Sequence, residues 1–135
     1  MENWKMDLIK DAKIARENAY CPYSKYKVGA ALLTDSEKVF SGVNIENASY
    51  GLTICAERSC IFSAVSQGHL DIKAIAIVTK DGGSPCGACR QVLNEFNPEM
   101  IVITSDENFK NIKEYKLSEL LIDAFGPRNL EEMTV

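Results

Sequence analysis

Two short cysteine segments limit what this chain can fold into. One is Thr53-Ile54-Cys55-Ala56-Glu57-Arg58, and the other is Ser84-Pro85-Cys86-Gly87-Ala88-Cys89-Arg90-Gln91. Each opens a run with helical spacing. Ala56, Cys60, Ile61, Ala64 and Val65 predict a helix from Cys55 to about Gln67, stopped by Gly68. Val92, Leu93 and Phe96 predict a second helix over 87–96. Three thiols and a carboxylate therefore fall at two helix starts, and a fold that uses them together must bring those starts face to face.

The rest of the chain supplies a frame. Leu8, Ile9, Ala12, Ala15 and Ala19 predict an amphipathic helix over roughly 2–19, broken at Cys21-Pro22-Tyr23-Ser24. Residues 28–34 and 38–43 read as a strand pair about a turn at 34–37, and Ile72 to Thr79 as a buried strand. A fourth strand is expected over 100–104, a weaker fifth at 111–116, and a short helix at 117–121 before a polar tail. Residues 44–54 and 81–85 read as loops. Strands alternating with helices after an opening hairpin predict an α/β fold with a mixed five-stranded sheet and helices on both faces. At 135 residues, with no repeat or linker, one domain over 1–135 is expected.

Pro85-Cys86-x-x-Cys89 has the spacing of a metal chelate and equally that of a redox dithiol. Cys55-Ala56-Glu57 shifts the balance. Side chains in a first helical turn tilt toward the N-terminus, so Cys55 and Glu57 both reach a point in front of the helix end. Three thiolates fill three tetrahedral positions on zinc and leave the fourth for water, the pattern of a catalytic rather than a structural site. Glu57, beside the ligands without being one, suits a proton shuttle. Three thiolates also give the zinc a net negative charge. Helix dipoles, and Arg58 or Arg90 donating to sulfur, would offset it. Cys60 falls on the apolar helix face and Cys21 stands apart, both reading as packing residues. His69, the single histidine, reads as an exposed helix-end residue.

Composition bounds the partners. Hydrophobic residues make up 46% and the formal net charge is -4, which allows a packed core and disfavours a nucleic-acid partner. No apolar run approaches the ~18–20 residues of a membrane span. The polar start Met1-Glu2-Asn3-Trp4-Lys5 has no export pattern, and five cysteines without one argue against a disulfide framework, so a cytoplasmic location is expected.

Cys-Ala-Glu-Arg followed by Pro-Cys-x-x-Cys-Arg-Gln resembles the cytidine deaminases of the small homotetrameric, zinc-dependent type. The resemblance extends over Ala19-Tyr20-x-Pro22-Tyr23-Ser24, Val28-Gly29-Ala30-Ala31-Leu32 and the loop Val43 to Tyr50. It implies a three-layer α/β/α fold, one zinc per chain on Cys55, Cys86 and Cys89, and Glu57 as the catalytic acid–base. It implies deamination of cytidine and 2′-deoxycytidine by a zinc-activated water, in pyrimidine salvage. Asn44 and Glu46 would hold the ribose 3′-hydroxyl, and Ala56 and Glu57 the pyrimidine edge. Tyr26 stands where the family usually has a Phe packed near the base. Phe125 would reach the base in a neighbouring subunit's site of a homotetramer, and the segment from Ala48 to Tyr50, counted with the substrate-binding residues, would lie at a subunit boundary.

Three other readings fit parts of the pattern. A protein of the same fold could deaminate another small nucleoside analogue, a free base or a nucleotide. A non-catalytic zinc module would need a fourth protein ligand. A redox dithiol would use Cys86 and Cys89 and leave Cys55-Ala56-Glu57 without a role.

Overall fold

Every element of this fold is arranged about one sheet, and the computed structural model describes it over residues 1–133. In chain order the elements are α1 (Asn3–Arg16), β1 (Gly29–Thr34), β2 (Val39–Val43), a 3-10 turn (Tyr50–Leu52), α2 (Ala56–Ser66) and β3 (Ile72–Thr79). There follow α3 (Gly87–Phe96), β4 (Ile101–Asp106), β5 (Lys113–Lys116), α4 (Leu117–Leu120) and α5 (Pro127–Met133). The spatial strand order is β2-β1-β3-β4-β5. Only β3 and β4 run parallel, as the helical crossover through α3 requires, and the other neighbours are antiparallel.

The period-two alternation of the strands divides the core into two layers. Ala30, Leu32, Ile75, Ile77 and Val102 pack with Cys60, Ile61 and Ala64 of α2 and Leu93 of α3. Ala31, Ala74, Ala76, Val78 and Ile103 pack with Leu8, Ile9 and Ala12 of α1. Helices thus cover both faces of a mixed five-stranded sheet, as expected from the sequence.

Two glycines set how closely helix and sheet approach. A Cβ on Gly29 would lie 2.1 Å from the Ala12 carbonyl oxygen, and one on Gly42 would lie 2.4 Å from the Cys60 nitrogen. α1 and α2 therefore ride backbone-to-backbone over β1 and β2. The second contact fixes the height of α2, and with it the position of Cys55 at its end.

The differences from expectation are local. α1 stops at Arg16, because residues 17–19 continue as a hydrogen-bonded turn that leads Tyr20 into a bridge with Ile45. The polar tail contains α5. Gly126-Pro127 begins it, with Pro at the first helical position and the Asn129 Oδ1 accepting from the Gly126 N–H at 2.9 Å. Val65, expected inward, is exposed. His69 is half-buried: after Gly68 turns the chain at φ +87°, its ring lies 5.1 Å from that of Phe40 and its Nδ1 3.9 Å from Asp71. Cys21 and Cys60 are both buried, and the Cys60 thiol donates to the Phe40 carbonyl at 3.2 Å.

Candidate active site

α2 and α3 lie on the same face of the sheet, and their N-termini converge. Cys55 is the N-cap of α2 and Cys86 the N-cap of α3. Both have extended backbones, so each helix proper begins one residue later, and neither side chain caps its own helix. Cys89 occupies the third position of α3, and Glu57 the second position of α2.

The three sulfurs gather at that junction. Cys55 Sγ lies 4.0 Å from Cys86 Sγ, and Cys86 Sγ lies 3.5 Å from Cys89 Sγ. All three lie within 4.8 Å of one another, and among the described residues they form the one trio of side chains placed to hold a metal ion. Zn–S bonds of ~2.3 Å at tetrahedral angles put sulfurs ~3.8 Å apart, so the spacing fits zinc. The electrostatics fit as well. The Cys89 thiol and then Arg58 donate to the Cys55 sulfur, and hold its thiol down to about 5. Cys89 is pushed upward by that same donation and by burial. Ionising all three side by side needs a cation between them.

The two arginines have different tasks. Arg58 reaches back one turn and places its Nη2 3.5 Å from Cys55 Sγ. Arg90, also expected at sulfur, donates to none of the three. Its guanidinium donates to the Pro85 carbonyl at 2.7 Å, the Leu120 carbonyl at 2.7 Å and the Ser84 hydroxyl at 3.0 Å. It clamps the loop that leads into Cys86.

Glu57 is only 5% exposed. Burial pushes its carboxyl above the ordinary range, and the neighbouring Cys55 sulfur adds to the rise. A buried carboxyl so placed is a candidate to take and return a proton at the sulfurs' side.

A cavity of about 320 Å³ opens in front of the sulfurs. Cys55, Ala56, Glu57 and Cys86 form its floor, and Tyr26, Val28, Asn44, Glu46 and Thr53 line it from the other elements. Asn44 is buried, with its Oδ1 accepting from the Val28 N–H at 3.0 Å and its Nδ2 donating to the Tyr26 carbonyl at 2.8 Å. An amide has two donors and two acceptor sites, so one of each is left unused by these two bonds. The Glu46 carboxylate accepts from the Tyr23 and Ser24 N–H groups at 3.0 and 3.1 Å and from the Ser24 hydroxyl. The Ser24 hydroxyl leads those bonds in holding its carboxyl below the usual range. A larger depression of about 430 Å³ lies near Asn94, Leu121 and Pro127, and none of the three sulfurs lines it.

Cys55, Cys86, Ala56, Glu57, Asn44, Glu46 and Tyr26 thus meet at one cavity, with Cys89 behind the floor and Arg58 one turn along α2. Ala48, Tyr50 and Phe125 do not join them within a single chain. All three are exposed, Tyr50 at 73% and Phe125 at 57%. Tyr50 instead lines, with Tyr23, an adjoining depression that shares Ser24, Glu46 and Thr53 with the main cavity. Ser24, Thr53, Thr79, Gly83 and Ser84 also line the main cavity and had not been singled out. For four of them the signal was adjacency: Ser24, Thr53, Gly83 and Ser84 each lie outside the helices and strands within three residues of a recognised site residue, whereas Thr79 ends β3, seven residues before Cys86.

The fold and this site are those of an α/β protein with three cysteine sulfurs placed to hold a metal ion and a buried carboxyl beside them. A family model described as the cytidine and deoxycytidylate deaminase zinc-binding region matches residues 2–105, and the chain belongs to that family. It is similar to a cytidine deaminase of Halalkalibacterium halodurans, 50% identical over 127 residues that cover 93% of this chain and 96% of the relative. A cytidine deaminase of Sporosarcina psychrophila is 49% identical, covering 91% of this chain and 92% of that one. The crystal structure of cytidine deaminase from Burkholderia pseudomallei superposes with a TM-score of 0.86 at 46% identity, over 93% of this chain and 100% of the other.

Proposed function

We propose that the chain hydrolyses cytidine and 2′-deoxycytidine to uridine and 2′-deoxyuridine, releasing ammonia, in pyrimidine salvage. The observation that carries this is the placement of the buried Glu57 carboxyl beside three converging sulfurs, on the floor of the cavity that Asn44 and Glu46 line.

A zinc ion on Cys55, Cys86 and Cys89 supplies a Lewis acid that makes water nucleophilic at neutral pH. The chain's own groups do the rest. Glu57 takes a proton from the attacking water and delivers it to N3 of the pyrimidine, which makes C4 electrophilic. The water oxygen adds at C4. Glu57 then passes the second water proton to the departing amine, the C4–N bond breaks, and ammonia leaves. Asn44 and Glu46 read the ribose hydroxyl, with the spare amide donor and the carboxylate oxygens as its partners.

The working unit is a homotetramer of single-domain chains with shared active sites. The exposure of Tyr50 and Phe125 in one chain supports it, since two aromatic rings are left for a neighbour to cover. No helix among the described residues is long and apolar enough to cross a membrane, and the net charge of -4 disfavours nucleic acid. The cytoplasm, where thiols stay reduced, suits the five free cysteines.

The test is the ultraviolet band of cytidine followed with metal-analysed protein beside Glu57→Ala. Loss of the band at about one zinc per chain, and a rate at least ~10²-fold lower in the zinc-loaded variant, is expected. Zinc bound with cytidine and deoxycytidine untouched would refute the substrate. Absence of zinc from freshly reduced protein would refute the metal site.

A further inference from the structure

Tyr26 does more than present a ring. Its hydroxyl donates to Asp81 Oδ1 at 2.6 Å, across 55 residues of sequence. Tyr26 lines the cavity, and Asp81 stands next to its lining, between Thr79 and Gly83, which both line it. Tyr26 lies on an irregular segment whose backbone is pinned by Asn44 at the Tyr26 carbonyl and the Val28 N–H. Asp81 belongs to the loop that leaves β3 and runs through Gly83 and Ser84, both lining the cavity, into Cys86.

That loop is built to hold Asp81 still. The Thr79 hydroxyl accepts from the Gly82 and Gly83 N–H groups at 2.7 and 3.1 Å, and stands 3.2 Å from Asp81 Oδ1. Gly82 turns at φ +83°, and Asp81 forms a bridge with Asp106 at the end of β4. Tyr26 by contrast has little packing to fix its side chain, being 39% exposed. The bond to Asp81 anchors the tip of the ring, with the Thr79 hydroxyl beside it. A Phe, which the family resemblance leads one to expect here, has no atom to make it.

We propose that the Tyr26–Asp81 hydrogen bond is a positioning device for the nucleoside, holding the Tyr26 ring in the cavity wall before substrate arrives. The proposal rests on the nucleoside reading given above. Tyr26 is the contact residue and Asp81 the positioning residue. The bond lowers the ordering cost of binding, so it acts on substrate and product affinity and not on the chemistry at C4. A single hydrogen bond of this kind is worth about 1 kcal/mol, or roughly three- to tenfold in affinity.

The experiment compares wild type, Tyr26→Phe, Asp81→Ala, Asp81→Asn and the Tyr26→Phe/Asp81→Ala double variant, all zinc-loaded. It measures KM and kcat for cytidine and, independently of turnover, the equilibrium Kd for uridine. The expected result is a three- to tenfold rise in KM and Kd in Tyr26→Phe and in Asp81→Ala, with kcat within twofold. The double variant should be no worse than the worse single one, because both remove the same bond. Asp81→Asn should fall between wild type and Asp81→Ala, since its amide oxygen still accepts. Unchanged affinity in Tyr26→Phe, or losses that multiply in the double variant, would overturn the proposal. A zinc-loaded wild type that neither turns over cytidine nor binds uridine would overturn the nucleoside reading, and this proposal with it.

Discussion

Arg58 donates to the sulfur of Cys55 from one helical turn away, at 3.5 Å. A guanidinium in that place stabilises the thiolate before any metal arrives, and withdraws charge from it afterwards. In zinc-free protein the Cys55 thiol is held at about 5, with the Cys89 thiol as the largest cause and Arg58 next among those that lower it. A thiol lowered in the folded state adds stability above its unfolded pKa and loses it as pH falls through the folded one. Alkylation of Cys55 in zinc-free protein, mapped by mass spectrometry, should show a midpoint near pH 5 that moves upward in Arg58→Gln. An unmoved midpoint would remove Arg58 from this role.

Gly42→Ala should loosen the site from a distance. The new Cβ would lie 2.4 Å from the Cys60 nitrogen and 2.8 Å from the Ala56 carbonyl oxygen, so α2 must lift off β2. Overpacking of this kind costs about 1–3 kcal/mol. Because Cys55 caps the lifted helix, zinc per chain should fall along with the denaturation midpoint. Normal zinc content in a destabilised variant would show that the sulfur trio tolerates movement of α2.

Glu46→Ala removes both a turn cap and the proposed ribose contact. The Tyr23 and Ser24 N–H groups lose their acceptor. Losing a charged hydrogen bond should lower kcat/KM for cytidine about 10- to 100-fold, with zinc content unchanged. On wild type, cytidine 3′-phosphate should be a very poor substrate, since its phosphate would face the Glu46 carboxylate. Efficient turnover of the 3′-phosphate would contradict that placement.

Asp106 sets an acid limit on the structure. Its carboxylate accepts from the Asn111 and Lys110 N–H groups at 2.7 Å each and from the Asn108 N–H at 3.4 Å. The Asn111 bond leads in holding its carboxyl below the usual range. Such a group stabilises the fold above its unfolded pKa of about 3.9, and the contribution disappears as pH drops through the folded value. Asp106→Asn should therefore melt below wild type at pH 7, with the gap narrowing below about pH 4. A gap that does not change with pH would show that charge is irrelevant at this turn.

How far the sequence could be read depended on distance along the chain. Cys55, Cys86 and Cys89 were legible because ligands of one metal cluster at helix starts, and helix starts announce themselves within a few residues. The β3 and α3 boundaries were sharp for a similar reason: a continuous apolar run and a strong apolar face each end at turn residues. Arg90 could not be separated from Arg58 by position alone. Its carbonyl partners include Leu120, thirty residues on, and backbone acceptors carry no residue signature. The partnership of Tyr26 with Asp81 was invisible likewise, since both lie in loops whose meeting depends on the sheet between them. α5 lies in what read only as a polar tail, although Pro127 stands at its first position, where proline is favoured.

The sulfurs sit at the ends of two separate helices, and neither helix alone could assemble them. Metal loading therefore reports on tertiary assembly. A chain whose α2 and α3 are formed but wrongly docked would present one thiol here and two there, and would bind zinc weakly or not at all. In any preparation, tightly held zinc per chain counts the correctly folded molecules, and specific activity is properly expressed against that count and not against total protein.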